Sequence, residues 1–116
     1  MESARIKVLL IEDDEDDYII FKKLLTGISQ KRFGLKWASN YEAAFKTAGE
    51  EPFDVVFIDY VLGQENGLAL MRELLRDGLK SPVIILTGLG DFEIDDQAMR
   101  EGASDYLEKK NLKPSI

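Results

Sequence analysis

The chain has 116 residues, with 22 acidic against 15 basic side chains and a net charge of −7. That length supports one domain, spanning residues 1–116, which can bury about two-thirds of its unfolded surface without a disulfide or metal staple. With neither cysteine nor histidine, the chain offers no disulfide, zinc-thiolate site, histidine acid–base catalysis or Ser-His triad, and its acidic balance argues against a nucleic-acid-binding face.

The first apolar run, Ile6–Ile11 (IKVLLI), is nearly continuous, which predicts a strand buried on both faces. A helix follows, with Ile20, Phe21, Leu24, Leu25 and Ile28 at helical spacing. Phe33–Ala38 predicts the second strand. Ser39 and Glu42 then form an S-x-x-E capping box, opening a helix whose stripe is Tyr41, Ala44, Phe45 and Ala48. Phe53–Ile58 (FDVVFI) predicts the third strand. The third helix carries Leu68, Met71 and Leu75, with Leu70 and Leu74 beside them, and Gly78 stops it. Pro82–Leu86 (PVIIL) predicts the fourth strand. Asp91 caps a fourth helix that runs to about Glu101 on Ile94, Ala98 and Met99, with Gly102 as its terminator. Ser104–Leu107 predicts the fifth strand. Strict strand–helix alternation with short links gives an α/β fold, a doubly wound five-stranded parallel sheet with helices on both faces. No apolar run approaches the roughly 18 residues of a membrane span, and the N-terminus has no signal-peptide pattern. A cytoplasmic domain without membrane contact is expected.

Ligands of open α/β sheets bind beyond the carboxyl ends of the strands. The first strand ends on Glu12-Asp13-Asp14, the third on Asp59, the fourth on Thr87 and Gly88, and the fifth near Lys109. Carboxylates, a hydroxyl and an ammonium thus converge on one edge. Crowded carboxylates raise one another's pKa values. With Glu12, Asp13 and Asp59 ionised, Mg²⁺ and Lys109 balance their charge, and all-oxygen ligands favour a hard ion, Mg²⁺ or Mn²⁺. Taken singly, each residue has a plainer reading. An acid after a strand is commonly a solubiliser or cap, and Lys109 with Lys110 reads as a solvated pair. Glu15, Asp16 and Asp17 are read as first-turn acids favoured by the helix dipole. The agreement of four strand ends outweighs those separate readings.

The segments VLLIEDD (Val8–Asp14), FDVVFIDYVLGQENGL (Phe53–Leu68), PVIILTG (Pro82–Gly88) and GASDYLEKK (Gly102–Lys110) resemble, in order and spacing, the receiver domain of two-component response regulators. The resemblance implies the flavodoxin-like strand order 2-1-3-4-5, here with the fifth helix missing or truncated. It implies that Asp59 is the phosphoacceptor, and that Glu12 and Asp13 hold Mg²⁺ together with Asp59 and the backbone carbonyl of Val61. Thr87 is the implied switch hydroxyl, Lys109 the phosphoryl contact and Tyr106 the aromatic switch.

The implied chemistry is transfer from a phosphohistidine on a partner histidine kinase or phosphotransfer protein to Asp59. The donor is external because this chain has no histidine. Catalysis is then positioning and electrostatics. Thr87 draws in the loop bearing Gly88 and Gly90, Tyr106 fills the vacated space, and the surface of the fourth helix and fifth strand changes for an output domain or partner protein. Such a domain promotes its own phosphotransfer and dephosphorylation without being a turnover enzyme.

Two features depart from the family pattern. Lys110 stands where receivers commonly carry proline, so no cis peptide is expected there. Tyr-Val-Leu-Gly follows Asp59 in place of the commoner Met-Pro, a style similar to receivers attached to larger signalling proteins. The chain is therefore expected to be the N-terminal part of a longer protein. A sheet face left uncovered by the missing helix is expected to drive self-association into a homodimer or a concentration-dependent oligomer.

Three rivals are weaker. A flavin carrier of this topology needs a hydroxyl- and Gly-rich phosphate loop after the first strand, where this chain has only acids from Glu12 to Asp17. An Asp-nucleophile phosphatase resembles D-x-D-x-T, and Val61 replaces its second, proton-donating Asp. A receiver-like module that is never phosphorylated would not need the full chemical set found here.

Overall fold

The computed structural model describes residues 5–29, 32–88 and 92–109. Its elements are β1 (Ile6–Ile11), α1 (Glu15–Ser29), β2 (Phe33–Ala38), α2 (Tyr41–Glu50), β3 (Val55–Asp59), β4 (Val61–Leu62), β5 (Glu65–Asn66), α3 (Gly67–Arg76), β6 (Val83–Thr87), α4 (Phe92–Arg100) and β7 (Asp105–Glu108). The five long strands form one parallel sheet in the order β2-β1-β3-β6-β7. This is the expected flavodoxin-like order, interrupted in sequence by the antiparallel β4–β5 hairpin, a two-rung ladder that no periodicity announced.

Alternation along β1 explains why Val8–Ile11 is an unbroken apolar run. Leu9 and Ile11 face one way and join Val56, Ile58, Val83 and Ile85 under α2, α3 and α4, where Ala44, Leu68, Met71, Leu74 and Ala98 are buried. Val8 and Leu10 face the other way, with Leu86, beneath Phe21 of α1. Both faces of this stretch are dry, so neither admits a polar residue; Lys7, at the exposed start of the strand, pairs with Glu51. Phe21 meets Phe57 edge to face, with ring centroids 4.8 Å apart. A fifth helix would follow Lys109 and falls outside the described residues.

Several local expectations are corrected. The third, fourth and fifth strands start later than their apolar runs, at Val55, Val83 and Asp105; the third and fourth end on Asp59 and Thr87 as expected, and the fifth runs one residue further, to Glu108. The cap of α2 is Asn40, not Ser39: Asn40 has extended backbone and its Oδ1 accepts from the Ala43 N–H at 2.8 Å, which is the N-cap bond to the third helical residue. Gly78 and Gly102 do end their helices, at φ of 103° and 117°, a region that suits glycine. In α4, Ala98 is buried and Ile94 partly so, but Met99 is 43% exposed and Asp95 turns inward instead. Asp91, the expected cap of α4, lies outside the described residues, as do Gly90 and Lys110.

Candidate functional site

The carboxyl edge of the sheet gathers its charged groups around Lys109. Glu12 follows β1 directly. Its backbone N–H donates to the Ala38 carbonyl at 3.1 Å and its carbonyl accepts from Trp37 Nε1 at 2.6 Å. Trp37 in turn stacks on Tyr18, with centroids 4.3 Å apart. Glu12 is only 1% exposed and Asp59, the last residue of β3, only 4%. Lys109, just past β7, places Nζ 2.8 Å from Asp59 Oδ2, 3.0 Å from Glu12 Oε2 and 2.6 Å from Asp17 Oδ2. One oxygen from each of Glu12, Asp17 and Asp59 lies within 4.8 Å of the others.

The electrostatics follow from burial and crowding. Burial is the main reason that the Glu12 pKa is pushed up to about 8. Its hydrogen bond to Asp59 and the Asp59 charge add to the rise, and Lys109 opposes it. Burial alone would lower the Lys109 pKa. Its hydrogen bonds to Asp17, Asp59 and Glu12 override that and hold it above the ordinary lysine value.

Of the residues expected at the site, Glu12, Asp59 and Lys109 meet directly. Asp13 does not join them and sits exposed on the rim, facing the turn after β4: a Cβ on Gly63 would stand 3.7 Å from Asp13 Oδ2. Val61 is 58% exposed, and its backbone N–H donates to Asp59 Oδ1 at 3.2 Å. Thr87 is fully buried at the end of β6, and its hydroxyl donates to Asp95 of α4. Tyr106, paired in register with Ile85, is 39% exposed.

Two residues of the site escaped the sequence reading. Asp17 is not merely a dipole acid, since it is half-buried and binds Lys109. Its position held the signal: a helical side chain leans toward the N-terminus, so a first-turn residue covers the carboxyl end of the preceding strand. Asp14, by contrast, is a plain cap whose Oδ1 accepts from the Asp16 N–H at 2.9 Å. The second is Gly67, the first residue of α3. A Cβ there would stand 2.1 Å from the Asp59 carbonyl oxygen, and the Gly67 N–H donates to the Tyr60 carbonyl at 2.7 Å. Only glycine lets α3 start this close to the end of β3.

The donor set suits a hard divalent cation. The carboxylates of Glu12, Asp17 and Asp59 converge without cysteine or histidine, and one lysine leaves their charge incompletely neutralised.

A doubly wound parallel sheet with buried acids and a lysine at the strand ends, and a threonine on the neighbouring strand, defines a signalling domain of the receiver type. Residues 8–116 match the sequence profile of the response regulator receiver domain, and the chain belongs to that family. It is 33% identical over 102 residues to the transcriptional regulatory protein QseB of Escherichia coli O157:H7, covering 88% of this chain and 45% of that one. It is 34% identical over 106 residues to a putative response regulator NtrX-like protein of Rickettsia bellii, covering 90% of this chain and 22% of that one. The chain thus spans less than half the length of these relatives. Among solved structures, a receiver domain protein from Clostridium thermocellum superposes with a TM-score of 0.77 at 31% identity, over 89% of this chain and 81% of that one. A response regulator from Burkholderia pseudomallei, solved with a phosphorylated aspartic acid, a calcium ion and citrate, superposes with a TM-score of 0.75 at 29% identity, over 95% and 61%.

Proposed function

We propose that Asp59 accepts a phosphoryl group from a phosphohistidine on a partner histidine kinase or phosphotransfer protein. The observation that carries this reading is the Lys109 ammonium 2.8 Å from the buried Asp59 carboxylate, with Glu12 beside both. The phosphorylated aspartic acid of the Burkholderia neighbour supports it. An Asp59 carboxylate oxygen attacks phosphorus, the new P–O bond replaces the P–N bond, and the electron pair leaves with the imidazole nitrogen, which takes up a proton. Lys109 stabilises the equatorial phosphoryl oxygens, and the Val61 N–H orients the attacking carboxylate. Glu12, Asp13, Asp59 and the Val61 carbonyl, with Asp17 added from the geometry, would hold Mg²⁺. The ion would neutralise charge on the phosphoryl group when bound.

The phosphoryl group carries about −1.5 to −2 charges and replaces the single negative charge of the Asp59 carboxylate, so the edge of the sheet becomes more negative. Thr87 and Tyr106 then transmit the change to the surface of α4 and β7, where an output domain or partner protein reads it. As a cytoplasmic receiver, the domain would pass a signal and would not turn over a metabolite.

The test uses the chain's single tryptophan. Trp37 is bonded to the Glu12 carbonyl, so its fluorescence reports on the pocket. A Mg²⁺ titration is expected to change it, and acetyl phosphate is expected to change it further only when Mg²⁺ is present. Loss of the second change in Lys109→Ala supports the reading; a donor response in the absence of any divalent ion contradicts it.

A further inference from the structure

Asp95 is a buried carboxylate for which the proposed phosphotransfer has no use. It lies in the first turn of α4, 4% exposed, on the face that also buries Ala98. A carboxylate in that position is costly unless it is hydrogen-bonded, and the Thr87 hydroxyl donates to its Oδ1 at 2.9 Å. Thr87 itself is fully buried. A threonine hydroxyl has one proton to donate. It can serve Asp95 or a phosphoryl oxygen on Asp59, and not both at once.

We infer that Asp95 is a latch: it holds the Thr87 hydroxyl on α4 in the unphosphorylated domain and competes with the phosphoryl group for it. This inference rests on the phosphoacceptor reading and names its regulation. Two consequences follow from the competition. The bond to Asp95 stabilises the resting state, so it weakens the response to phosphorylation by the strength of a charge-assisted hydrogen bond. When Thr87 turns to the phosphoryl group, Asp95 loses its donor while buried. The first turn of α4 must then shift to bring that carboxylate to water or to another donor. One hydroxyl thereby couples the pocket to the outer face of α4, which carries Met99 and the Asp96–Arg100 ion pair.

The test is the affinity for beryllofluoride, a phosphoryl mimic that binds an aspartate carboxylate, measured with saturating Mg²⁺ by Trp37 fluorescence. Asp95→Ala removes the acceptor and is expected to tighten binding about tenfold. Asp95→Asn keeps the shape with an uncharged, weaker acceptor and is expected to tighten it by less, about threefold. In a Thr87→Val background, either Asp95 substitution is expected to change nothing, which a merely structural role for Asp95 would not produce. Equal affinities for the parent chain and Asp95→Asn, or a gain that persists without the Thr87 hydroxyl, overturn the latch alone. A parent chain that binds no beryllofluoride overturns the phosphoacceptor reading, and the latch with it.

Discussion

Asp17 and Gly67 complete the pocket, one as a further carboxylate beside Lys109 and the other as the glycine that lets α3 start against Asp59. Asp17 offsets the Lys109 charge at 2.6 Å, and that charge would otherwise repel a divalent cation bound nearby. Replacing it with asparagine is expected to weaken Mg²⁺ binding about three- to tenfold at low salt, and by less as salt screens the charges. Asp13→Ala is expected to weaken it more. Unchanged Mg²⁺ affinity in Asp17→Asn, measured by Trp37 fluorescence, would return Asp17 to the role of a helix-dipole acid. Gly67→Ala forces a methyl group onto the Asp59 carbonyl. It is expected to cost about 1–3 kcal/mol in urea unfolding and to slow phosphorylation by displacing Asp59. Full stability and full rate in this variant would mean that α3 can withdraw freely. The sequence offered little warning of either residue. An acid in a first helical turn has a common and sufficient explanation in the dipole, and only the seating of α1 on the sheet turns Asp17 toward Lys109.

At the scale of elements, the helix starts are set by side chains that the pattern nearly named. Asn40→Ala is expected to destabilise the domain by about 1 kcal/mol, and Ser39→Ala by much less. The reverse order in denaturant midpoints would restore the capping box on Ser39. Asn66 caps α3 in the same way, accepting from the Leu68 and Ala69 N–H groups at 2.7 and 3.3 Å. The expected bounds of β1 and β2 agree residue for residue with the structure. The β1 run is unbroken from Val8 to Ile11 because both faces are buried there, and the β2 run stops where the polar Ser39-Asn40 pair opens α2. The β4–β5 hairpin was not legible, since two-residue strands carry no period. The inward turn of Asp95 was hidden for a related reason: Met99 looks like the better core residue until the azimuth of α4 is known.

For the whole molecule, the acidic edge links stability to pH and metal. The Glu12 pKa rises from 4.5 in the unfolded chain to about 8 in the fold. Between those values the folded state binds more protons than the unfolded one, so stability falls as pH rises. Urea midpoints of the metal-free protein are therefore expected to drop from about pH 5.5 to about pH 7.5, and saturating Mg²⁺ is expected to flatten that slope by taking the place of the proton. A metal-free midpoint that rises over this range would mean that Glu12 is ionised in the fold. Phosphorylation of Asp59 is what the geometry of this edge serves. Peptide mapping by mass spectrometry after exposure to acetyl phosphate and Mg²⁺ tests it most directly. A single acid-labile phosphoryl group on the peptide containing Asp59, absent in Asp59→Asn, is expected; equal incorporation into Asp59→Asn would contradict it.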